Sequence, residues 1–244
     1  MGISLSVCTI CQDEEEPIKW YLEYIVFLSS VLKDSLREIV LVDGGSKDNT
    51  VDVINFYKDK APIKLFERKW DYTAAQQNFG LSHCTGDFVF TLDADMTATT
   101  NFPHLFLSGY YNRSPFWDFR MLFAAKDAYH FFHKWNRGVN MRLHRRGPKW
   151  IRKYHVKLEG QNQGLPVSKD VVIFENSCRI KNDEALKWRG ERRQICKEDM
   201  EKEGASPGPP NRFYSAAHAP DSEVAHLSTY DPKIIDLILP STNG

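Results

Sequence analysis

The chain has 244 residues, of which 42% are hydrophobic and 13% aromatic, enough to build the core of one domain with elaborations. Lys+Arg and Asp+Glu both number 32, so no global charge excess steers it to nucleic acid, a membrane or an acidic substrate. No apolar run approaches the length of a membrane-spanning helix.

Ile3–Ile10 alternates and is β-rich, which predicts a first strand. The start lacks a basic region, and Gln12-Asp13-Glu14-Glu15-Glu16 cuts its apolar run short, so it is not expected to be a signal peptide. Gly2 and Ser6 superficially fit a myristoylation pattern, but the first strand uses the same residues. The acids Asp13–Glu16 with Pro17 suit a helix start, and Ile18–Leu32 has helical apolar spacing. Ile39–Val42 predicts a second buried strand. It runs into Asp43-Gly44-Gly45-Ser46-Lys47-Asp48-Asn49-Thr50, where Ser46 or Asp48 can cap a helix over Thr50–Tyr57. Ile63–Phe66 predicts a third strand, Thr73–Ser82 a helix, and Phe88–Leu92 a fourth strand. This alternation predicts an α/β fold, with a mostly parallel central sheet flanked by helices.

Beyond residue 100 the pattern weakens. No acid occurs between Asp127 and Glu159, while Lys134, Arg137, Arg142, Arg145, Arg146, Lys149, Arg152, Lys153 and Lys157 do. Val171–Phe174 predicts a further strand and Asp183–Lys202 a charged helix. Gly204–Pro210 reads as a linker, and the tail after it is open between docked and partly disordered. The five cysteines, Cys8, Cys11, Cys84, Cys178 and Cys196, are scattered and odd in number. They are expected to be reduced, mostly buried thiols, which points to a cytoplasmic setting.

The chemistry concentrates at Asp93-Ala94-Asp95, just past the fourth strand. Strand alternation would point both carboxylates the same way, and same-facing carboxylates repel unless a cation lies beside them. Oxygen ligands select a hard ion, Mn²⁺ or Mg²⁺. The alternative is a solvated turn with an N-cap Asp. Asp13/Glu14 and Asp43 also follow predicted parallel strands, so three acidic loops converge on one side of the sheet. Asp43 is a candidate acceptor of hydrogen bonds from a base or ribose; the alternative is an Asx turn.

The ordered series Ser6–Glu14, Val42–Thr50, Ala74–Gly80 and Gly86–Asp95 resembles family 2 glycosyltransferases of the GT-A fold. Members commonly carry a D-G-S-x-D-x-T loop, an A-R-N-x-G helix and a D-x-D. Within that family, Trp70-Asp71-Tyr72 and Leu92–Asp95 look most like small glucosyltransferases that extend lipopolysaccharide core. Met141–Arg146 and Tyr154-His155 look like that group's second half more loosely. The resemblance implies an inverting, metal-dependent transfer of a sugar from a nucleotide-diphosphate donor, most simply a UDP-sugar, to a glycan or lipid-linked acceptor. It implies residues 1–203 as the catalytic domain, with 1–100 the nucleotide-sugar half and 101–203 the acceptor half, and 204–244 as linker and tail. Thr9, Asp13 or Glu14, Asp43 and Asp93 match nucleotide contacts, and Asp93 and Asp95 match metal ligands. Gln77 stands at a nucleotide-side position where the family has arginine, Met96 replaces an acid after the D-x-D, and Val156 follows His155 where a Glu is usual.

An inverting transfer needs a general base for the acceptor hydroxyl. His155 and Glu159 lead the candidates, ahead of Glu175, Asp199 and Asp183. The basic stretch can hold a diphosphate or an anionic acceptor, or touch a membrane surface through 134–157. Nucleic acid is not expected. His130 and His133 invite a zinc site but lack partners at set spacing. Trp135 and Trp150 are candidate sugar platforms, whereas Phe116, Trp117, Phe119, Phe131 and Phe132 read as core. The rival functions are a nucleotidyltransferase, whose Gly-rich phosphate loop is missing from Cys8–Glu16, and a non-catalytic nucleotide- or glycan-binding protein.

Overall fold

The computed structural model describes residues 2–124, 130–132, 140–151, 157–160, 164–168, 171–176, 201–202, 224–226 and 237. The predicted helix over 183–202 therefore lies almost wholly outside the described residues.

β1 (Leu5–Cys11) is buried along its whole length. It is followed by α1 (Glu15–Leu32), β2 (Leu36–Asp43), α2 (Thr50–Tyr57), β3 (Ile63–Glu67), α3 (Thr73–Ser82) and β4 (Phe88–Thr91). Glu15 and Glu16 occupy the first turn of α1, where carboxylates meet the positive end of the helix dipole. The four strands pair in the order β3-β2-β1-β4, all parallel. Being covered on both faces, they read in the sequence as near-continuous apolar runs. On one face Leu5, Val7, Ile39 and Leu41 pack against Ile18, Leu22, Ile25 and Ile54. On the other, Cys8, Val40 and Val42 meet Phe79 and Leu81 of α3.

The second half adds β5 (Met96–Ala98), α4 (Phe102–Leu107), β6 (Phe116–Phe123), β7 (His130–Phe132), β8 (Asn140–Arg145), β9 (Trp150–Ile151), β10 (Lys157–Leu158), β11 (Leu165–Pro166), β12 (Val172–Glu175) and β13 (Val224–His226). The sheet continues β4-β8-β6-β12-β5, and β11 joins β6. β8 is antiparallel to both neighbours, and β5 is antiparallel to β12. The α/β class holds, and the sheet is mixed but mostly parallel: β6 pairs parallel with both β11 and β12, and the antiparallel pairings are those of β8 and β5. Of the aromatics expected in the core, Trp117, Phe119 and Phe131 are buried and Phe116 is half-buried; Trp117 and Phe119 pack with Phe90, Phe102, Phe106 and Tyr111. Parts of the tail dock, since β13 pairs with β7 and the Leu237 carbonyl accepts the Thr100 N–H at 2.8 Å. Among the described residues no helix is long and apolar enough to cross a membrane.

Away from the loops after β1, β2 and β4, the buried Glu38 ties the sheet together. Its carboxylate accepts the Ser6 hydroxyl, the N–H and hydroxyl of Thr85, each at 2.8 Å, and the Lys64 ammonium at 3.2 Å. Burial alone would raise its pKa; the hydrogen bonds from Ser6, Thr85 and Lys64 outweigh that and hold it below the usual carboxylate range.

Candidate functional site

The loops after β1 and β2 are laced into one platform. Asp13, with φ at 53°, donates its N–H to Ser46 Oγ at 2.9 Å and accepts the Lys47 N–H at 2.7 Å. The Glu14 N–H reaches Thr50 Oγ1 at 2.8 Å, and the Glu15 N–H reaches Asp48 Oδ2 at 3.1 Å. Asp48 also accepts the Thr50 N–H at 3.0 Å, but it stands one residue before the N-cap position, which is Asn49, so neither Ser46 nor Asp48 caps α2 as expected. Asp43 is 1% exposed, and its Oδ2 accepts the N–H groups of Gly45 and Ser46 at 2.8 and 2.9 Å. Its Oδ1 accepts the Ser46 hydroxyl. The Asx-type turn is therefore formed, and any ligand donor shares a carboxylate already engaged. Burial, chiefly, and the nearby Asp43 raise the Cys11 thiol pKa.

Beside this platform a cleft of about 390 Å³ is lined by Gln12, Gly44, Gly45, Lys47, Glu67, Arg68, Lys69 and Trp70. Gly44 keeps it open: a Cβ there would stand 2.8 Å from the Trp70 ring. Thr9 is not brought to this surface; it is buried and bonded to the Tyr21 hydroxyl. Gln77 is likewise buried within α3, and its Oε1 has no hydrogen-bond partner among the described residues.

Asp93-Ala94-Asp95 links β4 to β5 as a β-turn, closed by the Met96 N–H to the Asp93 carbonyl at 2.9 Å. Strand alternation thus does not apply to it. The two carboxylates differ: the Asp93 side chain is 33% exposed, whereas Asp95 is 4% exposed. Arg142 of β8 forks onto Asp93, Nη1 to Oδ1 at 3.4 Å and Nη2 to Oδ2 at 3.3 Å. The Asp95 carbonyl accepts the Asn176 N–H at 2.8 Å, and Glu175, also buried, is in register with Met96.

Among the described residues no group of three or more His, Cys, Asp or Glu is arranged to hold a metal ion. A small hard cation does not require such a cage. It commonly takes one or two carboxylates and completes its shell with water and phosphate oxygens, and the Asp93–Asp95 turn offers that kind of donor set. His130 lies opposite His226 across the β7–β13 pair, and His133 lies outside the described residues.

Of the base candidates, Glu159 is exposed in the turn after β10, its N–H bonded to the Lys149 carbonyl at 2.8 Å. His155, Asp183 and Asp199 lie outside the described residues. Trp150 is buried at 6% exposure against Ala74 and Leu158, so it is no sugar platform; Trp135 lies outside the described residues. Within the stretch 134–157, residues 140–145 form an interior strand with Leu143 and His144 fully buried, while Arg145, Arg146 and Lys149 are exposed. Burial pushes the His144 pKa down to about 4, against a hydrogen bond to the Arg145 carbonyl that raises it. The partnership of Arg142 with Asp93 was missed from sequence; the signal for it is the alternation Met141-Arg142-Leu143-His144, which marks a strand.

The chain is similar to known proteins over part of its length. The family model described as Glycosyl transferase family 2 matches residues 6–146. A lipopolysaccharide core biosynthesis glycosyltransferase, LpsC of Rhizobium meliloti, is 32% identical over 94 residues, covering 38% of this chain and 32% of that protein. The chondroitin synthase of Pasteurella multocida is 36% identical over 74 residues, 29% of this chain and 8% of that one. The matches thus span less than a third of these relatives' lengths. Among solved structures, Staphylococcus aureus TarS aligns with a TM-score of 0.42 at 18% identity, over 50% of this chain and 36% of that one. Glucosyl-3-phosphoglycerate synthase of Mycobacterium tuberculosis, in complex with Mn²⁺, UDP and glucosyl-3-phosphoglycerate, aligns at 0.40 and 17% identity, over 50% of this chain and 45% of that one.

Proposed function

Since the chain belongs to glycosyl transferase family 2, we propose that it moves a sugar from a nucleotide-diphosphate sugar, a UDP-sugar in the simplest case, to a hydroxyl of a glycan or lipid-linked acceptor. Inversion at the anomeric carbon and use of Mn²⁺ or Mg²⁺ are part of this proposal. The observation that carries it is the placement of the Asp93–Asp95 turn at the end of β4, directly beside β1 in the sheet whose β1 and β2 loops form the acidic, glycine-bearing platform. Open α/β sheets bind ligands at that edge.

In this reading the Asp13–Ser46–Asp43 platform and the cleft at Trp70 receive the nucleoside. Asp93 and Asp95 provide oxygens for the ion. A divalent ion there neutralises charge developing on the departing diphosphate. The acceptor hydroxyl attacks the anomeric carbon as a base removes its proton, and the nucleoside diphosphate leaves from the opposite face. Glu159 and His155 are the residues proposed for that base. The name of the Rhizobium relative favours a glycolipid core acceptor.

The test is release of nucleoside diphosphate from UDP-, GDP-, ADP- and CMP-sugars, with and without Mn²⁺, by wild type and Asp95→Ala. Metal-dependent release lost in the variant is expected. No metal-dependent turnover with any of these donors would sink the enzyme reading in favour of a binding protein.

A further inference from the structure

β8 runs against its neighbours, so its first residues arrive where β4 ends. Leu143 pairs with Phe90, which sets Arg142 one step closer to the Asp93 turn. The guanidinium meets the Asp93 carboxylate as a two-pronged fork, but at 3.3 and 3.4 Å. A close charge-assisted pair sits nearer about 2.8 Å. The Arg142 side chain is 11% exposed, and its Nε is buried with no hydrogen-bond partner among the described residues. A desolvated guanidinium with a loose fork and an idle donor is poorly satisfied where it stands. The guanidinium carries five N–H donors, and its geometry suits a phosphate as well as a carboxylate.

We propose that Arg142 is the diphosphate-binding cation of the donor site, held by Asp93 until an oxyanion arrives. This rests on the proposed donor class. A phosphate oxygen entering beside the turn takes N–H donors of Arg142, and the Asp93 oxygens are thereby released to a divalent cation. Oxyanion and cation then each favour binding of the other, because both draw on the same exchange of partners. A static ion pair that merely stiffens the turn would produce no such coupling.

The experiment uses inorganic pyrophosphate, followed by calorimetry, and Mn²⁺, followed by electron paramagnetic resonance. Arg142→Met should weaken pyrophosphate binding by about 30-fold, and Arg142→Lys by less, since it restores charge without the fork. Mn²⁺ alone should bind Arg142→Met at least as tightly as wild type, because its competitor for Asp93 is gone. Asp93→Asn should strengthen metal-free pyrophosphate binding several-fold, and the gain should vanish in Asp93→Asn/Arg142→Met. Absence of pyrophosphate binding to wild type, equal binding by Arg142→Met, or parallel loss of Mn²⁺ and pyrophosphate would each overturn the assignment. So would a gain that persists in the double variant, which remains informative if Arg142→Met alone folds poorly. Failure of sugar transfer with every donor would remove the proposed function and leave these binding results standing. Unchanged pyrophosphate binding with transfer intact would remove the Arg142 assignment alone.

Discussion

The side chain of Asn78 and the main chain of Trp150 form a reciprocal pair: Nδ2 donates to the Trp150 carbonyl at 2.8 Å, and Oδ1 accepts the Trp150 N–H at 2.7 Å. One amide thereby hooks the β9–β10 strand pair, and with it Glu159, onto α3. Asn78→Asp keeps the size but replaces the donor with a second acceptor facing a carbonyl. It should cost about 2–3 kcal/mol. Denaturant unfolding measures the loss, and faster hydrogen exchange at the Trp150 amide would locate it.

Asp43 has a structural duty separable from any nucleotide contact. Asp43→Ala strips the acceptors from Gly45, Ser46 and the Ser46 hydroxyl. It should cost about 2–4 kcal/mol, whereas Asp43→Asn retains a carbonyl for the two N–H groups and should cost about 1 kcal/mol. If the carboxylate also meets the nucleoside, Asn will lose far more donor affinity than stability. Paired unfolding and donor titrations of the two variants decide it.

Gly80 lets α3 lie directly on β1 and β2. A Cβ there would fall 2.6 Å from Cys8 Sγ and 3.2 Å from Val42 Cγ2. Despite the better helix propensity of alanine, Gly80→Ala should cost about 1–2 kcal/mol through overpacking. Cys8→Ala removes the colliding sulfur, so the double variant should be more stable than the sum of the single losses predicts, by about 1 kcal/mol. Strict additivity in urea titrations would show that the helix shifts instead.

His144 sets a pH limit on stability. Its folded pKa of about 4 lies below the ordinary value of 6.5 because burial disfavours the charged ring. Above pH 6.5 both folded and unfolded chains keep it neutral, and it adds no pH dependence. As pH falls from 6.5 toward 4 the unfolded chain takes up the proton first, so stability should drop by up to about 3 kcal/mol. His144→Leu should flatten that part of the profile, read as the difference between wild type and variant in unfolding at pH 7, 6 and 5.

The elements readable from sequence are those whose environment is uniform. β1 and β2 are buried on both faces and are located by their apolar runs, although β2 extends over Leu36–Asp43 where only Ile39–Val42 is expected; α2 and α3 have the expected bounds. β6 and β8 escape because Asp118, Arg120, Arg142 and His144 interrupt their apolar residues, and their pairing joins segments far apart in the chain. The site divides the same way. Asp43 and Asp93 are visible as acids at strand ends, but the turn at Asp93–Met96 breaks the alternation used to orient them. The Arg142 fork spans 49 residues of sequence, and the local alternation at Met141–His144 marks a strand without naming its partner. Trp150 shows the converse error: an aromatic in a basic stretch looks exposed until the strand it belongs to is packed against α3.

Glu38 lies far from the proposed chemistry, yet it bears on how the strands beneath it stay aligned. One carboxylate joins β1 through Ser6, β3 through Lys64 and the entry to β4 through Thr85, on top of its own place in β2. A one-residue slip of any of these strands would strand a buried charge, so alignment of the sheet is enforced there, apart from the loops that follow β1, β2 and β4. Those loops carry little responsibility for strand alignment. Strand register and loop shape are thus held by separate sets of hydrogen bonds, those of Glu38 for the first and those of Asp13, Asp43 and Asp48 for the second.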